Sequence, residues 1–220
     1  MQNQFNNETA RSNILQNLSK ALQIKTERPY AEEETSGFYM PDNETVLSVF
    51  TRRFEQAGGH LSVCSSDAAC AAQIALLLQA QQWHPPCCRS PKWTTLLQQA
   101  GIDTQTALSA QTPAGITPCI ALVAQTGSIL VSSGSEMGRA LTVFPPVHIV
   151  VAYINQIVYD IEQALNLVTA AGSPQLPSII GLITGPARTA DIEKTLVLGA
   201  HGPKAVYLFL IEQEHNVQQP

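Results

Sequence analysis

The sequence predicts an α/β fold: a mostly parallel sheet flanked by helices, with a helical extension at the N-terminus. Three observations predict it. Short apolar runs rich in Val and Ile, such as residues 147–154 and 178–183, alternate with segments whose apolar residues recur at helical spacing. Glycine-rich turns punctuate the second half: Gln125-Thr126-Gly127-Ser128, Ser132-Ser133-Gly134-Ser135, Gly138-Arg139 and Thr184-Gly185-Pro186. The 220 residues, 45% of them hydrophobic, are enough to bury the core of one large domain.

The elements follow in order. Ile14, Leu15, Leu18, Ala21 and Leu22 place a short apolar stripe on a helix over residues 10–22. Packing back on the domain is the expectation for it, with a partner subunit as the alternative. Residues 25–43 carry two prolines and clustered glutamates, so they read as an arm. That arm separates an extension (1–42) from a main domain (43–212), and residues 213–220 read as a flexible tail. Val46, Leu47, Phe50 and Phe54 line one face of a helix that Gly58-Gly59 stops. A strand over 60–64 leads to Ser65 or Ser66, either of which suits an N-cap for a helix running to about residue 81. Residues 83–91 resist assignment, and 92–100 read as another helix. A strand then arises within 115–123, followed by strands at 128–132 and 148–152 and a hairpin-like insertion around 128–151. A helix over 157–168, a strand at 178–183, a helix over 189–198 and a strand at 205–210 complete the chain.

Composition narrows the function. The net charge is -5, only 13% of residues are charged, and no basic block occurs, so nucleic acid is excluded as the expected partner. The N-terminus is polar, and the longest apolar runs fall short of a membrane span, so a cytoplasmic protein without a membrane segment is expected. Cys64, Cys70, Cys87, Cys88 and Cys119 form no CxxC, so ordinary thiols are expected and neither a metal site nor an iron–sulfur cluster is assigned to this chain. No GxxxxGK[ST], GxGxxG or GxSxG occurs.

Small-anion chemistry is the remaining signal. Gly185, Arg188 and Thr189 stand where an expected helix begins, and free N–H groups there suit a carboxylate or phosphate. The alternative is plain capping by Thr189, with Asp191 and Glu193 at the positive helix end. Thr126, Gly127, Ser132 and Ser133 suit a carbonyl, carboxylate or phosphate, or simply build turns. Arg139 suits an anion or a nearby carboxylate. His148, after two prolines, is a catalyst or a hydrogen-bonded structural group, and His201 invites the same two readings. Together Thr126, Gly127, Ser132, Ser133, Arg139, His148, Gly185, Arg188, Thr189 and Asp191 are the candidate anion or substrate site. Thr126, Ser133, Arg139, His148 and Arg188 are expected to line one concavity. No residue is assigned a catalytic role.

The ordered segments Ala124-Gln125-Thr126-Gly127-Ser128, Gly138-Arg139-Ala140-Leu141, residues 145–151, Gln156-Ile157-Val158, residues 184–193 and residues 196–203 resemble the LUD-domain family, in its LutC/YkgG group. The resemblance implies a fold like the NagB/RpiA/CoA-transferase group. It implies a part in organic acid metabolism, namely lactate utilization: oxidation of L-lactate to pyruvate alongside two iron–sulfur partner proteins. The family usually carries glutamate where this chain has Gln125, so a carboxylate is missing there. The chain has no nicotinamide or flavin signature, so no cofactor is expected in it and the clusters are expected in the partners. Two alternatives stand beside the lactate-oxidising subunit: an independent enzyme on an acyl or phosphorylated metabolite, and a metabolite-binding regulatory module.

Overall fold

The computed structural model describes residues 2–23, 44–133, 139–170, 177–192 and 195–213, the side chains of 2–8, 170, 190–192 and 195–196 excepted. The chain divides into two units, Met1–Tyr39 and Met40–Pro220. In the first, α1 (Gln2–Gln23) is a single helix on which Ile14, Leu15, Leu18 and Leu22 are exposed. The expected arm lies outside the described residues, as does the tail from residue 214 onward.

The second unit is built around a run of buried strands. It opens with α2 (Val46–Gln56), where the Thr45 hydroxyl accepts from the Ser48 N–H and Phe50 stacks on Phe54. Then come β1 (His60–Cys64) and α3 (Asp67–Ala80), capped by Ser66 through the Ala69 N–H. The unassigned Pro- and Cys-rich stretch contains β2 (Cys87–Cys88), followed by α4 (Pro91–Gln99) with Pro91 at its start. Next are β3 (Ala114–Pro118), β4 (Ala121–Val123), β5 (Ser128–Ser132) and β6 (Val147–Tyr153). A single 3-10 turn leads to β7 (Ile157–Val158) and α5 (Ile161–Ala170). The chain finishes with β8 (Ile180–Ile183), β9 (Arg188–Ile192), β10 (Thr195–Leu198) and β11 (Ala205–Ile211).

Five strands in the order β1-β11-β6-β3-β2 form an all-parallel sheet. All seven residues of its middle strand, β6, are buried, as a strand covered on both faces requires. Alternation along β6 then sorts the core. Val147, Ile149 and Val151 pack with Ile74 and Leu78 of α3 and Trp93 and Leu97 of α4. Val150 and Ala152 point the other way, into Phe50 and Phe54 of α2 and Leu122 and Ile129 of a second sheet. That second sheet, β7-β4-β5-β8, buries Ala121, Val123 and Leu130 against Ala164 and Val168 of α5. The layers are therefore α3 and α4, the parallel sheet, α2 with the mixed sheet, and α5. Among the described residues five of the eight strand pairings are parallel, so the α/β, mostly parallel assignment holds.

Three expectations fail. The described residues of 189–198 form no helix: β9 and β10 pair antiparallel, with Arg188 facing Leu198 and Thr189 facing Val197. Thr189, Ile192, Thr195 and Val197 are β-branched, and that stiffness favours a strand. The predicted helix over 157–168 starts later, because Ile157 and Val158 pair with Leu122 and Val123 at the edge of the mixed sheet. The insertion is also larger than one hairpin, since β8 joins β4 and β5. Among the described residues no helix is long and apolar enough to cross a membrane.

Candidate functional site

The carboxyl ends of parallel strands are where open α/β sheets place ligands. Here three strand ends bring Asp67, Lys92 and Tyr153 together. Asp67 is the first residue of α3, two residues beyond Ser65, which follows β1. Lys92 is the second residue of α4, which follows β2 after Arg89-Ser90. Tyr153 is the last residue of β6. The Lys92 ammonium donates to the Tyr153 hydroxyl at 2.5 Å and pairs with Asp67 Oδ2 at 2.6 Å. The Tyr153 hydroxyl donates to Asp67 Oδ1 at 2.7 Å. Gln156 fixes the strand end. Its Oε1 accepts from the Tyr153 N–H at 2.8 Å, and its Nε2 donates to the Cys119 carbonyl at 2.9 Å.

The electrostatics follow from this closed triangle. Burial disfavours the Lys92 charge, but hydrogen bonds to Asp67 and Tyr153 outweigh it and leave the ammonium above its ordinary range. Burial raises the Tyr153 phenol; Lys92 opposes that rise and Asp67 reinforces it. Near neutral pH Lys92 is therefore an ammonium and Tyr153 a neutral phenol. The ion pair is only partly buried, at 43% and 31% side-chain exposure, so its own contribution to stability is about 0–1 kcal/mol. Sequence reading missed all three residues because they lie far apart in the chain and share no motif. The signal that finds them is position: each stands at or just after a strand of the same parallel sheet.

The glycine-rich turns lie elsewhere, around the C-terminal end of α2, which feeds the amino end of β1. Gly127 has φ +63°, and a side chain there would sit 2.5 Å from the Phe54 nitrogen. Arg53 donates to the Gln125 carbonyl. Arg188 donates to the carbonyl of Ala57, the residue that ends α2, at 2.6 Å. Gly185, at φ +77°, abuts the same carbonyl. Ser128 and Thr184 share a hydrogen bond at 2.6 Å, and the Ala187 N–H reaches the Pro203 carbonyl at 2.8 Å. The expected helix start at Gly185, Arg188 and Thr189 does not exist, because Thr189 lies within β9. Asp191 lies on the same strand, and its side chain is outside the described residues.

The remaining candidates separate further. Ser132 is buried at the far end of β5, four residue steps or about 13 Å from Ser128. Beside it, the Ser133 hydroxyl meets Ser178 at 2.9 Å and the Ile179 N–H at 3.0 Å, and Arg139 donates to Ser178 at 3.1 Å. Among the described residues Arg139 thus has a hydroxyl partner. Residues 134–138 are outside the described ones. His148 is fully buried between the sheets, with Nε2 2.8 Å from the Thr117 hydroxyl. Burial pulls its imidazole down to about 4. His201 is exposed in the loop before β11. The shared concavity expected for Thr126, Ser133, Arg139, His148 and Arg188 is not formed: strand ends and an interior position keep them apart.

Among the described residues, Thr126 Oγ1 and His148 Nδ1 are buried without a partner. Among the described residues no group of three His, Cys, Asp or Glu side chains is placed to hold a metal ion. The five thiols are free and buried. Burial pushes Cys119 up to about 12 and raises Cys64, Cys70, Cys87 and Cys88, so all five lean away from thiolate. A shallow depression of about 730 Å³ runs along α2 by Thr45, Arg52 and Glu55, and includes none of the groupings above.

Comparison with known proteins places this architecture. The LUD domain matches residues 32–211. Lactate utilization protein C of Bacillus subtilis is 34% identical over 106 residues, covering 47% of this chain and 44% of the relative. The protein of that name from Halalkalibacterium halodurans is 36% identical over 102 residues, covering 44% of each chain. That of Geobacillus kaustophilus is 32% identical over 124 residues, 55% of this chain and 50% of the relative. This chain spans about half the length of these curated relatives. A crystal structure of a DUF162 family protein from Deinococcus radiodurans superposes with a TM-score of 0.53 at 23% identity, covering 76% of this chain and 96% of that one, which speaks for the fold alone. With a match that takes in both sheets and the helices between them, the chain belongs to the LUD domain family and is a homologue of lactate utilization protein C.

Proposed function

We propose that this chain is a subunit of an L-lactate utilization system, converting L-lactate to pyruvate together with iron–sulfur partner proteins in the cytoplasm. The observation that carries the reading is the LUD domain match over residues 32–211, joined by relatives that bear the name lactate utilization protein C. The all-parallel sheet with a second sheet packed on α2 favours a NagB/RpiA/CoA-transferase-like ancestry for the fold. Lactate oxidation releases two electrons, and in this reading the clusters of the partners accept them. This chain then contributes handling of the organic acid rather than self-sufficient redox chemistry.

Anaerobic lactate oxidation is the test, with this chain alone, the iron–sulfur partners alone, and all components together. Turnover is expected only from the complete set. Robust turnover by the lone chain sinks the proposal in favour of an independent enzyme. Full activity of the partners without it points to a regulatory module.

A second reading concerns the turns at the end of α2. Among the described residues Thr126 Oγ1 is buried there without a partner, beside Gly127 and two residues from Ser128, and that favours a polar ligand atom completing the junction. A Thr126→Val chain should then lose affinity for acetate or inorganic phosphate. Unchanged affinity in a folded variant removes this reading.

A further inference from the structure

The opposite, amino edge of the parallel sheet holds a depression of about 400 Å³ lined by Gln79, His84, Pro85, Gly101, Ile102 and Asp103. Its place follows from the layout of the layer above. α3 and α4 each follow a strand of that sheet and pack side by side, so both end at the amino edge. Both close in the same way. The Trp83 N–H returns to the Leu78 carbonyl at 3.0 Å and the Ile102 N–H to the Leu97 carbonyl at 2.9 Å, around Gln82 and Gly101 at φ +57° and +81°. Two negative helix ends thereby face the depression from either side.

Asp103 is the charged residue of the lining, and among the described residues no lysine or arginine joins it. The Asp103 carboxylate, the His84 imidazole and the Gln79 side-chain amide share the depression, yet among the described residues they bond neither to one another nor to any other group. Pro85 and the buried Ile102 add apolar surface. A cation is what this lining lacks. A metal ion is the poorer match, because among the described residues no three His, Cys, Asp or Glu side chains are placed to hold one, and the volume is that of a small molecule.

We propose that this depression binds a small organic cation, a primary alkylammonium. Its three N–H donors go to the Asp103 carboxylate, a neutral His84 ring nitrogen and the Gln79 amide oxygen, and its alkyl chain lies on Pro85 and Ile102. The site is independent of the function proposed above.

Titration calorimetry of the full chain tests the assignment at about pH 8, above the range in which free histidine takes up a proton. The probes are n-butylamine, butyltrimethylammonium and 1-butanol. Saturable millimolar binding is expected for butylamine. Butyltrimethylammonium, which carries the charge without N–H donors, should bind several-fold more weakly, and butanol should not bind. Asp103→Asn should weaken butylamine about fivefold. Should that variant fail to fold, NMR of the wild-type chain decides: the His84 imidazole signal should move with butylamine and stay with butanol. Absence of saturable butylamine binding, or butanol bound as well as butylamine, overturns the site. Equal binding of butyltrimethylammonium, or of butylamine by folded Asp103→Asn, overturns it as well.

Discussion

His148 is the hydrogen-bonded structural group that stood beside the catalytic reading, and it lies in the interior rather than in a concavity. Its ring is fully buried between the two sheets, where Thr117 meets one nitrogen and nothing meets the other. Its folded value of about 4 lies below the ordinary 6.5. The folded state therefore binds fewer protons than the unfolded chain between those values. The stabilising contribution is complete above about pH 6.5 and is lost as the pH falls toward 4, a change of about 3 kcal/mol at most. Urea unfolding at pH 7 and pH 4.5 checks this. The wild type should lose about 2 kcal/mol more between the two conditions than His148→Asn does. Equal losses in the two proteins would count against a buried neutral imidazole.

At the scale of elements, the end of α2 is closed from outside. Arg188 supplies a donor to the Ala57 carbonyl, one of the acceptors a helix end leaves without an internal partner. Arg188→Ala should lower stability by about 1 kcal/mol, because the exposed carbonyl can turn to water. Gly127→Ala should cost more, about 2 kcal/mol or above, since it combines a left-handed φ with a clash against the Phe54 backbone. Guanidinium denaturation of both variants gives the order, and a milder Gly127→Ala would argue against the close approach. Elements were legible where local pattern and tertiary context agree. The run 128–132 is a strand from end to end, and Ser66 caps α3 as its position suggests. Residues 188–198 were not legible as a hairpin, because Thr189 followed by acidic residues imitates a helix start while strand pairing decides the outcome.

At the scale of the whole molecule, the LUD domain match begins at residue 32, beyond the last residue of α1. Removing the first 31 residues should leave the melting temperature within about 2 °C, a shift worth under 1 kcal/mol. Scanning calorimetry checks it, and a drop of 10 °C would assign α1 to the folding core. The sheet as a whole was legible from alternating apolar runs and helical stripes. Its order was not, since β11, last in the chain, sits between β1 and β6. The site shares that difficulty. Asp67, Lys92 and Tyr153 become neighbours only when that order places β1, β6 and β2 in one sheet.

The three residues at the carboxyl edge stand outside the short segments in which the sequence resembles the family, while Gly127, Gly185 and Arg188 stand inside. Construction and chemistry are thus written in different parts of the text. Changing Lys92 or its two neighbours would leave untouched the contacts by which Gly127, Gly185 and Arg188 close the end of α2.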